Sequence, residues 1–371
     1  MTQHRPGTFL ELETLDRQAL PYRLVGVSAL EVFFGVRPGA VTTMEADLAV
    51  TDLARVFETL RFPGLPRWDL LVPHDEGEIL IRSNDGDTAQ VIGESEHPLL
   101  QFSYDPHRRA FSDPHELYPL LKEARQRMAR DEDALPVPGL HALEAALLCS
   151  RFPFVPAAPP TPWQPDLALP AAFHRLLLSQ ILTGPFSARG LELLRSGGYL
   201  DQVLPELALM DTTDHSKEGH PEGNVWRHTV ETMRYRKRWD LRVSLALLLH
   251  DAGKPYARPD GVHRFANHAD IGADLAGKIL GRLEFPRELI RDVQWLIRHH
   301  MMPGALERLP EHRRDPVMSS ELFPRLLEVY RCDLSSTYRG PDGYYRACRV
   351  YRSYLKHRRR QAPGLMRLYV E

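Results

Sequence analysis

Apolar and polar positions follow two different rhythms along this chain. From about Tyr22 to Pro106, short runs rich in β-branched and aromatic residues (YRLVGV, VTTMEADLAV, WDLLVP, GEILIRS, AQVIG, LLQFSYD) alternate with turn residues and two stretches of helical spacing, SALEVFFG and TDLARVFETL. This pattern predicts a small α/β domain. From His115 onward the strand signals nearly vanish and apolar residues recur at i, i+3, i+4, broken by one Pro-rich stretch, FPFVPAAPPTPWQPDLALP. The second half is therefore expected to be all-α, and the fold class α+β.

The same rhythm places several polar residues inside the helices. In LRVSLALLLHDAGK an apolar helix ends in His250 and Asp251, with Gly253 expected to break it. In LIRDVQWLIRHHM the inward set Leu289, Val293 and Ile297 continues to His300, whereas His299 follows Asp292 and Trp295 around the flank. In ELFPRLLEVYRCDLSST the set Leu322, Leu326, Val329 and Tyr330 runs on to Asp333, expected to be a buried carboxylate. His228 falls in the first turn of a helix capped by Asn224, and His268 follows the candidate cap Asn267. Unpaired, such groups cost on the order of several kcal/mol to bury. Neutral imidazoles and carboxylates converging from five helices instead suit a divalent cation such as Mn, Mg, Ni, Co, Fe or Zn. Two ions fit if His268 and His300 join His228, His250, Asp251 and Asp333.

At 371 residues the chain exceeds the size of a single growing core, so two or three domains are expected. A net charge of −2 excludes a uniformly basic nucleic-acid coat but permits a local basic surface. One such stretch is RACRVYRSYLKHRRRQAPG, where Arg352, Lys356, Arg358, Arg359 and Arg360 could meet RNA phosphates and the tyrosines could stack on bases. Its plain reading is a solvated helical face. Cys149, Cys332 and Cys348 form no CxxC pair, which fits a reducing compartment. The first residues carry no signal-peptide core, and the longest apolar run, Val243–Leu249, is too short to span a bilayer, so the expected location is the cytoplasm, without a membrane partner.

The ordered set H…HD…D, with the strings EGNVWRHT, LLLHDAGKP, RFANHADIGADLA and LIRHHM, resembles the HD superfamily of metal phosphohydrolases, and more specifically the HD domain of bacterial tRNA nucleotidyltransferases (CCA-adding) and poly(A) polymerases. Upstream, GPFSARGLELLRSGGYLDQVLPEL is similar to the neck preceding that domain. The resemblance implies a nucleotidyltransferase-like head at 1–117, a helical neck at 118–215, an HD domain at 216–340 and a basic tail at 341–371. Tyr104, Asp105, Pro106, Asp113 and Pro114 also match the head of that family.

The head departs from the family's working residues. Gly26–Val27 stands for its paired glycines, Leu30–Glu31 for its Arg-Asp, Glu45–Ala46–Asp47 for its DxD and Glu94–Ser95–Glu96 for its RRD, while ALPVPGLHALEAALLCSRF lacks its EDxxRxxR helix. The expectation is accordingly a metal-dependent phosphohydrolase, a phosphodiesterase or phosphatase acting on nucleotides or RNA ends, with 2′,3′-cyclic phosphates among its substrates. Asp251 would bridge metal and water, and Lys254 would either meet a substrate phosphate or be a solvated loop lysine. The alternative is a CCA- or A-adding tRNA nucleotidyltransferase or poly(A) polymerase using Glu45 and Asp47. A further alternative is a non-catalytic protein that binds RNA, tRNA included.

Overall fold

Strands from the alternating runs between Tyr22 and Pro106 pair into one sheet, which Ala110–Ser112 extends. The structure is a computed structural model that describes residues 10–65, 67–74, 77–83, 97–164, 169–214, 223–259, 264–337 and 340–361. The chain divides into two units, Met1–Tyr199 and Leu200–Glu371.

The first unit opens with α1 (Leu10–Arg17), β1 (Tyr22–Val25), α2 (Val27–Phe34), β2 (Val41–Ala46), α3 (Val50–Val56), β3 (Leu70–His74), β4 (Gly77–Arg82), β5 (Ser103–Asp105) and β6 (Ala110–Ser112). The sheet order is β3-β4-β2-β1-β5-β6. β2 and β4 run parallel, and the other neighbours are antiparallel. Successive side chains on a strand face opposite ways. On β2, Met44 and Ala46 enter a core with Leu53, Leu70, Ile79 and Ile81, which leaves Glu45 on the other face. Gly26 precedes α2 at φ 55°, a conformation that favours glycine, and a Cβ there would stand 3.0 Å from the Leu100 carbonyl oxygen.

The unit continues through α4 (Tyr118–Ala129), β7 (Leu135–Val137), α5 (Ala142–Arg151), β8 (Phe154–Pro156), α6 (Ala171–Leu182) and α7 (Ser187–Ser196), and α8 (Tyr199–Val203) runs from its last residue into the second unit. β7 and β8 form a two-stranded parallel sheet, so the chain beyond His115 is not purely helical. Pro136 and Pro156 lie in these strands; proline disrupts a helix interior and cannot donate to a ladder, which suits a short pairing of three residues. In the predicted strand LLQFSYD, Pro98–Gln101 instead make a turn of 3-10 helix and only Ser103–Asp105 pair. The predicted strand AQVIG lies outside the described residues.

The second unit is built from helices: α9 (Pro205–Ala208), α10 (Val225–Arg234), α11 (Leu241–Leu249), α12 (His268–Arg282), α13 (Arg287–His299), α14 (Glu311–Met318), α15 (Phe323–Ser335) and α16 (Asp342–Gln361). Every residue of α11 from Val243 to Leu249 is buried, as its unbroken apolar sequence requires of a central helix. α13 is one-sided instead, burying Leu289, Val293, Leu296 and Ile297. No described helix is long and apolar enough to cross a membrane.

Candidate metal centre

Five helices deliver the predicted ligands to one place. His228 sits in the first turns of α10, whose N-cap Asn224 accepts a hydrogen bond from the Arg227 amide at 2.8 Å. His250 is the C-cap of α11 and Asp251 follows it. His268 opens α12, His300 caps α13 and Asp333 lies in the last turns of α15. His228, His250, Asp251 and His300 are each no more than 2% exposed.

The ring nitrogens fall into two sets. Each Nδ1 meets a fixed partner: for His250 the Leu247 carbonyl oxygen at 2.8 Å, for His268 that of Phe265 at 2.9 Å, for His300 that of Ile297 at 2.7 Å, and for His228 the Ser336 hydroxyl at 3.2 Å. A carbonyl only accepts, so three of these Nδ1 atoms carry the proton and the matching Nε2 atoms present lone pairs. Those Nε2 atoms gather around the carboxylates. His250 Nε2 is 3.2 Å and His228 Nε2 is 3.7 Å from Asp251 Oδ2, while His268 Nε2 is 3.6 Å from Asp251 Oδ1. Asp333 Oδ1 stands 3.0 Å from His228 Nε2 and 3.9 Å from His250 Nε2. His268 and His300 face each other, Nε2 to Nε2, at 3.4 Å.

Two ligand groups result, His228 with His250 and Asp251, and Asp251 with His268 and His300, each with its donor atoms within 4.8 Å of one another. Asp251 belongs to both and turns one oxygen toward each. The donors fit a divalent cation: His250 Nε2 is buried and makes no hydrogen bond, a costly state for a polar atom that a cation would relieve. Burial and the neighbouring His250 push the His300 pKa down to about 4, and burial likewise lowers that of His268, so both rings stay neutral and able to ligate near pH 7. Burial alone would raise the pKa of Asp251, but His250 and Lys254 outweigh it and hold the carboxyl well below its usual range. A divalent ion held by such nitrogen and oxygen donors supplies a Lewis acid and acidifies bound water.

Several expectations need correction. Asp333 is not fully buried: its side chain is 21% exposed, and that of His268 is 14% exposed. Lys254 is not a solvated loop lysine; it is buried, with Nζ 2.5 Å from Asp251 Oδ2 and 5.6 Å from the Phe265 ring centroid. Asn267 occupies the N-cap position of α12 in a left-handed conformation (φ 59°) without a side-chain capping bond. Gly253 is no left-handed helix stop, since its φ is −78°. Its role is close approach, because a Cβ there would lie 2.1 Å from the His268 carbonyl oxygen. That absent Cβ lets the start of α12 reach the HD turn. Sequence reasoning also passed over Ser336 and the three carbonyls that orient the rings. The carbonyls had a local signal, each lying three residues before its histidine; Ser336 had none.

The head carboxylates are not gathered in this way. Glu45 on β2 lies in register between Arg23 on β1 and Arg82 on β4. It is ion-paired with both, at 2.5 Å to Arg23 Nε. Two guanidiniums on one carboxylate are a poor seat for a divalent cation at Glu45. Asp47 is exposed, just past the end of β2. Glu31 is buried at 3% against Arg151 at 1%, with Arg151 Nη2 at 2.5 Å from its carboxylate and the Gly39 amide donating at 3.0 Å. Glu94, Ser95 and Glu96 lie outside the described residues. On α16, Arg352, Lys356, Arg358 and Arg360 are exposed, and the side chain of Arg359 lies outside what is described.

Comparison with known proteins adds to this geometry. Residues 225–329 match the model of the HD domain, with Asp333 four residues beyond. The chain is 35% identical over 173 residues to the CC-adding tRNA nucleotidyltransferase of Thermus thermophilus, covering 43% of this chain and 38% of that protein. It is 35% identical over 177 residues to the A-adding tRNA nucleotidyltransferase of Deinococcus radiodurans, covering 44% and 39%. It is 34% identical over 137 residues to the multifunctional CCA protein of Halorhodospira halophila, covering 36% and 33%. The matches thus span less than two fifths of the length of these relatives. Among solved structures, the Bacillus stearothermophilus CCA-adding enzyme in complex with CTP aligns over 92% of this chain and 81% of its own, at 15% identity and a TM-score of 0.45. These relatives overturn the expectation of a phosphohydrolase, and with it the cyclic-phosphate substrate: they are named for nucleotidyl transfer, the activity expected to be lost, and an HD domain does not by itself establish hydrolysis. The second half of the chain carries an HD domain at residues 225–329, and relatives of the chain include proteins named as CC-adding and A-adding tRNA nucleotidyltransferases.

Proposed function

We propose that this chain is a tRNA nucleotidyltransferase that extends tRNA 3′ ends with C or A, and that its HD domain holds one or two divalent cations. The observation that carries this reading is the 35% identity to proteins named for CC and A addition. The proposed division of labour follows the chain: the head at 1–117 handles nucleotide, the neck at 118–215 connects, the HD domain at 216–340 binds metal and the segment 341–371 meets RNA. His228, His250, Asp251 and Asp333 would hold one cation, and Asp251, His268 and His300 a second. Lys254 would balance the charge of Asp251. The mixed nitrogen and oxygen donors suit Mn, Mg, Ni, Co, Fe or Zn over a soft metal.

In the head, exposed Asp47 is the carboxylate this reading assigns to metal-assisted transfer, with Glu45 screened by Arg23 and Arg82. The test is incorporation of labelled CTP and ATP into tRNAs shortened at the 3′ end. Incorporation that disappears in Asp47→Ala supports transfer. Tight tRNA binding without incorporation supports the second reading, an RNA-binding protein without transfer, which the two arginines on Glu45 favour.

A further inference from the structure

The four histidines of the metal centre are not held alike. His250, His268 and His300 each place Nδ1 on a backbone carbonyl, 2.7 to 2.9 Å away. A carbonyl has no proton to give, so these rings have one neutral tautomer that satisfies Nδ1, namely Nδ1–H with a lone pair on Nε2. His228 Nδ1 meets the Ser336 hydroxyl at 3.2 Å, and a hydroxyl both donates and accepts.

Ser336 Oγ is also 2.7 Å from the Asp333 carbonyl oxygen, so its single proton has two acceptors within reach. When the hydroxyl donates to the Asp333 carbonyl, Oγ accepts from His228 Nδ1–H, and Nε2 presents a lone pair. When it rotates to donate to His228 Nδ1, the ring proton resides on Nε2 and is donated to Asp333 Oδ1, 3.0 Å away. Both arrangements conserve every proton. In the first, Nε2 is a lone pair facing carboxylate oxygens of Asp333 and Asp251, an arrangement a cation satisfies. In the second, Nε2–H closes the same gap with a hydrogen bond.

We infer that Ser336 is a positioning residue whose hydroxyl rotates to set the tautomer of His228, making His228 the adjustable ligand beside three fixed ones. Ser336 is 6% exposed and caps the end of α15, on the same helix as Asp333. Its contact with His228 and its contact with Asp333 are therefore held together by one element. The inference rests on the metal-centre reading and is independent of nucleotidyl transfer.

The experiment uses the full chain stripped of metal. Histidine ring tautomers are read by 15N–1H NMR before and after loading with Zn, and Mn affinity is measured for the wild type, Ser336→Ala and Ser336→Thr. The expected result is that only His228 moves its proton from Nε2 to Nδ1 on loading, while the other three remain Nδ1–H throughout. Ser336→Ala should weaken Mn binding by about 10- to 100-fold, the usual effect of removing an outer partner of a ligating histidine, and Ser336→Thr should restore it. A wild type that binds Mn while Ser336→Ala binds it equally well, or a metal-free His228 already protonated at Nδ1, would overturn the inference. A wild type that binds neither metal would overturn the metal-centre reading itself.

Discussion

Arg151 and Glu31 set the stakes at the scale of single residues. Removing one partner of a buried ion pair leaves the other charged and uncompensated. Burial raises the Glu31 pKa, and Arg151 is the main opposing influence. Arg151→Ala should therefore destabilise the first unit by about 3–5 kcal/mol, read from urea unfolding, and a loss under about 1 kcal/mol would contradict the pairing. Gly253→Ala should act differently, forcing the HD turn and the start of α12 apart. Its cost is about 1–3 kcal/mol of overpacking, with weakened metal binding measured by calorimetry; unchanged binding would show that the close approach does not matter. Residues on a regular helix were legible in this way: Leu289, Val293 and Ile297 lead at helical spacing to His300, which is buried. Asp333 was legible in position but not in exposure, because helix phase gives direction and not the depth of neighbouring cover. The Ser336 contact with His228 joins residues 108 apart, a relation that no local spacing encodes.

At the scale of elements, α16 carries exposed Arg352, Lys356 and Arg358 on a helix of 20 residues. If this helix meets tRNA through phosphates, Arg352→Glu with Lys356→Glu should weaken tRNA binding and flatten its salt dependence by roughly 0.7–0.9 in log–log slope for each phosphate no longer neutralised. Unchanged slope and affinity would leave α16 a solvated face. The long elements were legible because many residues vote for one period: α11 and α13 appear where their apolar patterns placed them. The pair β7 and β8 was not, since a three-residue strand offers too few positions to establish alternation and depends on its partner for definition. The six-strand order sets β4 directly beside β2 and leaves β3 at the sheet edge, an order that adjacency in sequence does not encode.

For the whole molecule, the proposed chemistry divides between the two units. The second brings six ligand residues together from five helices, so a cation bound there joins elements that span most of its length and should stabilise that unit. At a free metal concentration about 100 times Kd the gain is about 2.7 kcal/mol, and chelation should lower the unfolding temperature of that unit without moving the transition of the first. The measurement that tests the centre most directly is a calorimetric titration of the metal-stripped chain with Mn, beside Asp251→Asn. One or two equivalents bound by the wild type and a loss of at least about 100-fold in the variant, which removes the carboxylate shared by both ligand groups, is the predicted result. No binding by the wild type, or equal binding by the two proteins, would contradict a metal centre built around Asp251.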